Sequence, residues 1–292
     1  MDGYEVCRRL KEDPSTRDIP VMFITAQNEE TDEATGLSLG AQDYIVKPFR
    51  VSLVRNRVAN QLTYKRYRDH LNDLVHERTR QLVLTQEATI HAMASLAEWR
   101  DTETGAHIKR TQNYVKALAV YIAQLPRYRD ELDADAISWL YLSAPLHDVG
   151  KVAIADTVLH KPGPLTDEEY EAMKEHTTLG RAVLASADKF LGENSFLRIA
   201  SDIAYCHHER WDGSGYPQGL AGDAIPLSAR LMAIADVYDA LISRRVYKQP
   251  IPHEEAIQMM LIERGRHFDP DIVDTLEAVA GKFAEIAQNF RD

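Results

Sequence analysis

Apolar positions along the chain fall into three regimes, and each predicts a different architecture. In the first fifty residues the short apolar runs IPVMFIT (19–25) and DYIVKPF (43–49) alternate with helical patterns, as expected for buried strands of a parallel sheet. A helical stretch between them ends at Gly40. Two strands with two or three helices cannot cover both faces of such a sheet, so this piece reads as part of an α/β domain. From about Val51 to Arg100 there is no glycine or proline, and Val58, Leu62, Leu71, Val75 and Leu82 leave only a narrow apolar stripe. That pattern predicts one long helix. Its spacing wavers between three and four, which favours a helical linker or dimeric coiled coil over a core helix, with a plainly solvated helix as the alternative. After Arg100 nearly every segment has helical periodicity, punctuated by HKPGPLT (160–166) and DGSGYPQGLAGDAIP (212–226). Thr166 and Glu169 form a capping-box pattern ahead of the next helix. With no second strand-rich region and no internal repeat, the remainder reads as one all-α domain.

Composition narrows the class. Hydrophobic residues at 45% and charged residues at 27% match a soluble globular chain and exclude disordered, collagen-like and membrane classes. Thirty-four basic against 45 acidic residues give a formal charge of −11, which argues against a broad footprint for long nucleic acid but leaves small phosphorylated ligands open. Cys7 and Cys206 are the only cysteines, too few for a disulfide framework or a thiolate zinc site. The amino end resembles no signal peptide and no apolar run is long enough to span a bilayer, so a cytoplasmic location is expected.

The chemistry is concentrated in histidines and carboxylates. A single histidine on an apolar helix face is more often a hydrogen-bonded core residue than a ligand, so the set must carry the argument. His147 and Asp148 are adjacent near the end of a helix bearing Ile137, Leu140, Tyr141 and Ala144, with Gly150 where a helix would stop. An imidazole and a carboxylate delivered together suit a borderline divalent ion, and the carboxylate can bridge to a second one. A capping aspartate beside a core histidine is the plain alternative. His207 and His208 close a helix whose inner face carries Leu197, Ala200, Ile203 and Ala204. Neighbours on a helix point about 100° apart, so both can grip an ion only beyond its end. One core and one surface histidine is the competing reading. Asp236 sits among apolar neighbours in RLMAIADVYDALIS and needs a cation. His176 lies on the capped helix, and His107 begins a stripe with Arg110, Tyr114 and Leu118, with Glu103 one turn earlier. Donors from at least five helices suit a metal cluster inside a helical bundle, and a nitrogen and oxygen donor set favours iron, manganese, cobalt, nickel or zinc.

Five blocks, RDTETGAHIKR (100–110), HDVGK (147–151), KEHTTLG (174–180), HHERWDGSGYP (207–217) and ARLMAIADVYDALISRRVYK (229–248), stand in an order and spacing that resemble the HD-GYP subset of the HD phosphohydrolase superfamily. The resemblance implies a mainly α protein with an all-α, HD-type helical bundle at 99–292. It also implies hydrolysis of cyclic di-GMP to linear pGpG, and to GMP on a second round, with two or three divalent metal ions, iron or manganese favoured. By position, His147, Asp148, His176, His207, His208 and Asp236 are expected as metal ligands, with Asp148 as catalytic bridge. Glu103 and His107 match the ligands of a third ion. Lys151 is expected to face the scissile phosphate, and Tyr216, Arg245 and Lys248 to bind phosphate oxygens. Asp212 is expected to cap or orient the GYP loop, which Trp211 anchors. Competing classes are a non-catalytic module that binds cyclic di-GMP or protein, and a nucleotidase or alarmone hydrolase of the wider superfamily.

The amino-terminal piece, 1–55, resembles the second half of a response-regulator receiver domain. MDGYEVCRRLK matches the segment after the phosphorylated aspartate, Thr25 the switch threonine, and Lys47-Pro48 the lysine with its proline, often cis. The acceptor aspartate and the acidic metal-binding pair are expected to lie before Met1, and the half-sheet is expected to be loosely ordered or covered by a partner. Residues 56–98 are the expected helical linker or coiled coil. Expected partners are a second copy through that helix and a GGDEF-type or other signalling protein at the GYP loop.

Overall fold

The computed structural model describes residues 2–26, 30–100, 105–191, 196–243 and 249–291. They form two compact units, Met1–Leu84 and Thr85–Asp292. In the first, α1 (Gly3–Glu12) starts where the Asp2 carboxylate accepts from the Glu5 amide at 2.9 Å. Strand β1 (Met22–Thr25), helix α2 (Glu30–Ser38) and strand β2 (Asp43–Val46) follow, and the strands pair in parallel with Met22 opposite Asp43 and Thr25 opposite Val46. Ile45 is buried whereas Ile24 is 52% exposed, so this small sheet covers its strands unevenly. The Lys47–Pro48 peptide is cis.

Helix α3 (Val51–Trp99) is the long helix read from the sequence. Val58, Leu62, Leu71, Val75 and Leu82 are all exposed on it. Beyond residue 84 the helix belongs to the second unit, and there Ile90, Ala94 and Ala97 are buried.

Among the described residues that second unit is built of helices: α4 (Gly105–Ile122), α5 (Ala134–Ser143), α6 (Asp156–Leu159), α7 (Asp167–Leu191), α8 (Phe196–Cys206), α9 (Leu227–Ile242), α10 (His253–Ile262), α11 (Pro270–Val273) and α12 (Leu276–Asn289). Its main core joins α4, α9 and α12, where Tyr114 stacks on Phe283 at 4.5 Å and meets Tyr238 edge-on at 5.1 Å. A smaller core of Ile90, Leu146, Leu184, Ala200 and Ala204 joins α3, α7 and α8. Helix α7 begins with the expected capping box: the Thr166 amide donates to Glu169 Oε2 at 2.7 Å, and the Glu169 amide to Thr166 Oγ1 at 3.3 Å.

Between α5 and α6 the chain makes two tight 3-10 turns, Ala144–Leu146 and Val149–Ala153. Gly150 therefore lies within a turn and does not end a helix, and a different force fixes it. A Cβ there would collide with the His176 carbonyl oxygen and come within 2.6 Å of the Gly180 nitrogen. Only glycine lets this turn rest directly on α7.

Candidate metal centre

His147 and Asp148 are delivered by the junction of the two 3-10 turns, His176 by the middle of α7, and His207 and His208 by the residues just past α8. His107 comes from the first turn of α4, and Asp236 from α9. Backbone geometry sets the direction of each ring. Nδ1 of His147 donates to the Ala144 carbonyl at 3.1 Å, Nδ1 of His176 to Met173 at 2.7 Å, and Nδ1 of His207 to Ile203 at 3.0 Å. A carbonyl can only accept, so each Nδ1 carries the proton and each Nε2 keeps its lone pair. Asp239 does the same for His107, accepting from Nδ1 at 2.8 Å.

These lone pairs converge. Nε2 of His176 and Nε2 of His207 lie 3.3 and 3.6 Å from Asp148 Oδ1, while Nε2 of His147 lies 3.4 Å from Oδ2. Nε2 of His107 faces Nε2 of His147 at 3.5 Å and Asp236 Oδ1 at 3.8 Å. Two clusters result: Asp148, His176, His207 and His208, whose ligand atoms lie within 4.8 Å of one another, and His107, His147 and Asp236 on the same criterion. Asp148 stands between them with one oxygen turned to each.

Three of these atoms, Asp148 Oδ1, His176 Nε2 and His207 Nε2, are buried without a hydrogen-bond partner. Leaving one such group unsatisfied is costly, and leaving three together, all acceptors, is explained by a cation among them. Protonation states agree. Burial pushes His147 down to about 4 and also lowers His176 and His208, which keeps the imidazoles neutral, the form that binds metal. Burial opposes the charge on Asp148, but the Lys151 ammonium beside it holds its carboxyl well below the usual range. The donor set fits divalent metal ions of borderline softness.

Lys151 Nζ lies 2.6 Å from Asp148 Oδ2, one turn along the same 3-10 segment. Tyr216 stacks on His208 at 4.8 Å with a 26° interplanar angle, and burial pushes its phenol up, so it remains a proton donor. The loop holding it is pinned by the buried Glu209, which accepts from the amides of Gln218 at 2.8 Å and Leu220 at 3.0 Å. Asp212 orients the same loop by accepting from the Ser214 amide and hydroxyl at 2.9 and 2.5 Å. Trp211 ties it to the segment before α11 through a 3.1 Å bond from its amide to the His267 carbonyl. Glu103, Arg245 and Lys248 lie outside the described residues.

Sequence reasoning did not single out Asp239 and Glu209. Asp239 is one turn after Asp236 on α9 and accepts from His107, from Arg110 Nε at 2.6 Å and from Arg110 Nη2 at 3.0 Å. The sequence held only a partial signal, an acidic residue three positions after a candidate ligand on the same apolar helix; the arginine that pairs with it comes from another helix.

The HD domain family matches residues 74–272, and the response regulator receiver domain family matches residues 1–59. A Vibrio cholerae protein named "Probable cyclic di-GMP phosphodiesterase" is 48% identical over 300 residues, spanning 100% of this chain and 68% of that protein. A second V. cholerae protein, a cyclic di-GMP phosphodiesterase, is 57% identical over 208 residues, 71% of this chain and 42% of that one. The cyclic di-GMP phosphodiesterase response regulator RpfG of Xanthomonas campestris is 36% identical over 298 residues, 97% of this chain and 75% of that protein. With its HD pair and GYP loop brought to one histidine cluster, and receiver sequence ahead of them, the chain belongs to the HD domain family, in its HD-GYP branch.

Proposed function

We propose that this chain is a metal-dependent phosphodiesterase that hydrolyses cyclic di-GMP to linear pGpG, and pGpG onward to GMP. The observation that carries the reading is Asp148, a carboxylate set between two clusters of imidazoles with one oxygen turned to each. His147, Asp148, His176, His207, His208 and Asp236 would hold two ions; His107, with Glu103, would hold a third. Iron or manganese suits this mixed donor set. When bound, such ions supply an activated water and neutralise charge on phosphoryl oxygens.

The chain's own residues do the rest. Lys151 presents a fixed ammonium at the edge of the site, where charge gathers on the phosphoryl group. The Tyr216 phenol, kept protonated, donates to a phosphate oxygen, and Arg245 and Lys248 supply further cations. Asp148 stays ionised throughout, so it acts as a ligand and not as a proton carrier. The lone cysteine of this unit, Cys206, has its thiol pushed up to about 12 by burial, which removes it as a nucleophile.

The reading extends to organisation: receiver-like sequence at 1–55, a linker helix at 56–98 that pairs with a second copy, and the phosphohydrolase at 99–292, in the cytoplasm. The GYP loop is the docking place for a GGDEF-type or other signalling protein. Among the described residues no helix is long and apolar enough to cross a membrane.

Turnover of cyclic di-GMP, guanosine tetraphosphate and mononucleotides by protein loaded anaerobically with iron or manganese tests the assignment. Cyclic di-GMP should be consumed with pGpG appearing first, and Asp148→Ala should abolish this. Binding without turnover would favour the non-catalytic module, and preference for guanosine tetraphosphate the alarmone hydrolase.

A further inference from the structure

The residues assigned so far recognise phosphate, and none of them recognises a base. We infer that Tyr170 of α7, braced by Lys174 and Tyr216, is a nucleobase subsite that stacks one purine of the substrate beside the metal centre; this rests on the cyclic dinucleotide reading above.

Tyr170 is 48% exposed, and a single exposed aromatic means little on its own. Its surroundings give it meaning. Its ring meets Tyr216 edge-to-face, with centroids 6.3 Å apart and planes at 76°, and Tyr216 in turn stacks on His208. Tyr170 is thus two ring contacts from a candidate metal ligand. Lys174, one turn further along α7, sets its ammonium 4.9 Å from the Tyr170 centroid and 5.5 Å from that of Tyr216. Glu171 holds that ammonium at 2.5 Å. The ring therefore stands on a 25-residue helix that Gly150 and Gly180 seat against the HD turn, and a cation restrains it from one side.

A cyclic dinucleotide carries each purine one ribose away from a phosphodiester. With one phosphate at the metal ligands, the adjoining base must find a surface within that reach. Every purine has a π face, and a rigid, partly exposed phenol ring is a surface on which it stacks. Lys174 and Tyr216 act here as positioning residues, while Tyr170 touches the base.

Steady-state kinetics of cyclic di-GMP hydrolysis by the metal-loaded full chain, compared across wild type, Tyr170→Ala and Tyr170→Phe, test the subsite. Loss of one base–aromatic stack should raise KM about tenfold in Tyr170→Ala with kcat and metal content unchanged. Tyr170→Phe, which keeps the ring, should restore the wild-type KM. An unchanged KM in Tyr170→Ala, or a Phe variant as impaired as Ala, would overturn the subsite while leaving the phosphodiesterase reading intact. Wild-type protein that does not cleave cyclic di-GMP would overturn both.

Discussion

Asp239→Asn is the sharpest probe of how the centre is held. The carboxylate is 1% exposed and receives His107 Nδ1 and Arg110 Nη2 on Oδ2 and Arg110 Nε on Oδ1. Asparagine keeps the volume but offers one oxygen, and its amide nitrogen must face a donor. If the oxygen stays with Arg110, His107 loses the bond that fixes its tautomer. If it turns to His107, the guanidinium meets an N–H. Breaking a buried pair costs about 3–5 kcal/mol, and the low end applies because Arg110 Nη1 also donates to the Phe290 carbonyl at 2.8 Å. For a unit of this size, roughly 3 kcal/mol lowers Tm by about 6–12 °C. Misdirecting a candidate ligand histidine should cost roughly 10–100-fold in metal affinity or activity.

The assay pairs thermal unfolding with metal stoichiometry. Metal should be lost selectively, because His107 belongs to one cluster while Asp148, His176, His207 and His208 form the other. The double variant Arg110→Met, Asp239→Asn should be less destabilised than Asp239→Asn alone, since it removes the stranded cation along with its partner. A single variant with wild-type Tm and full metal content would refute the assigned role.

Three further outcomes follow from the same geometry. Gly150→Ala should unfold or displace the HD turn, because its Cβ would be driven into the His176 carbonyl, and should lower both Tm and bound metal in circular dichroism and elemental analysis. Gly215→Ala would place a Cβ 2.5 Å from Glu209 Cα and should impair turnover while metal content holds, since only the GYP loop must move. Burial, helped by Arg210, lowers His267 to about 4, so the ring contributes stability above its unfolded value near 6.5 that is lost as pH falls toward 4. That loss runs at up to about 1.4 kcal/mol per unit, and His267→Gln should flatten the acid limb of urea unfolding midpoints; an unchanged slope would contradict it.

What the chain declared in advance was periodicity and residue type. The long helix, the helical second unit and the capping box at Thr166 follow from local patterns, which need no tertiary information. The gathering of Asp148, His176, His207 and His208, and of His107, His147 and Asp236 beside them, was legible only as a set, since each histidine alone fits a core role. What stayed hidden depends on contacts between elements far apart in sequence. Gly150 looked like a helix stop because a glycine after a helical run usually is one; its actual constraint is the α7 backbone, 26 residues away at His176. Asp239 looked like one more polar residue on α9 until α4 brought Arg110 and His107 against it, across 129 and 132 residues of sequence.

These hidden residues share a logic. The candidate ligand histidines are aimed by groups set back from where an ion would sit: three main-chain carbonyls for His147, His176 and His207, and one carboxylate for His107. Carbonyls three or four residues back along the chain are supplied by the backbone itself, so those three rings are as rigid as their turns and insensitive to side-chain substitution. Among these four bonds only that of His107 comes from a side chain, on another helix, that shares an arginine with the far end of α12. The cluster containing His107 should therefore be the one whose metal occupancy responds to how α4, α9 and α12 pack, while the Asp148, His176, His207 and His208 cluster holds its ion regardless. Occupancy titrated with a weak chelator, site by site, should empty the His107 cluster first; simultaneous loss from both would show that Asp148 couples them more tightly than the separate anchoring of their rings allows.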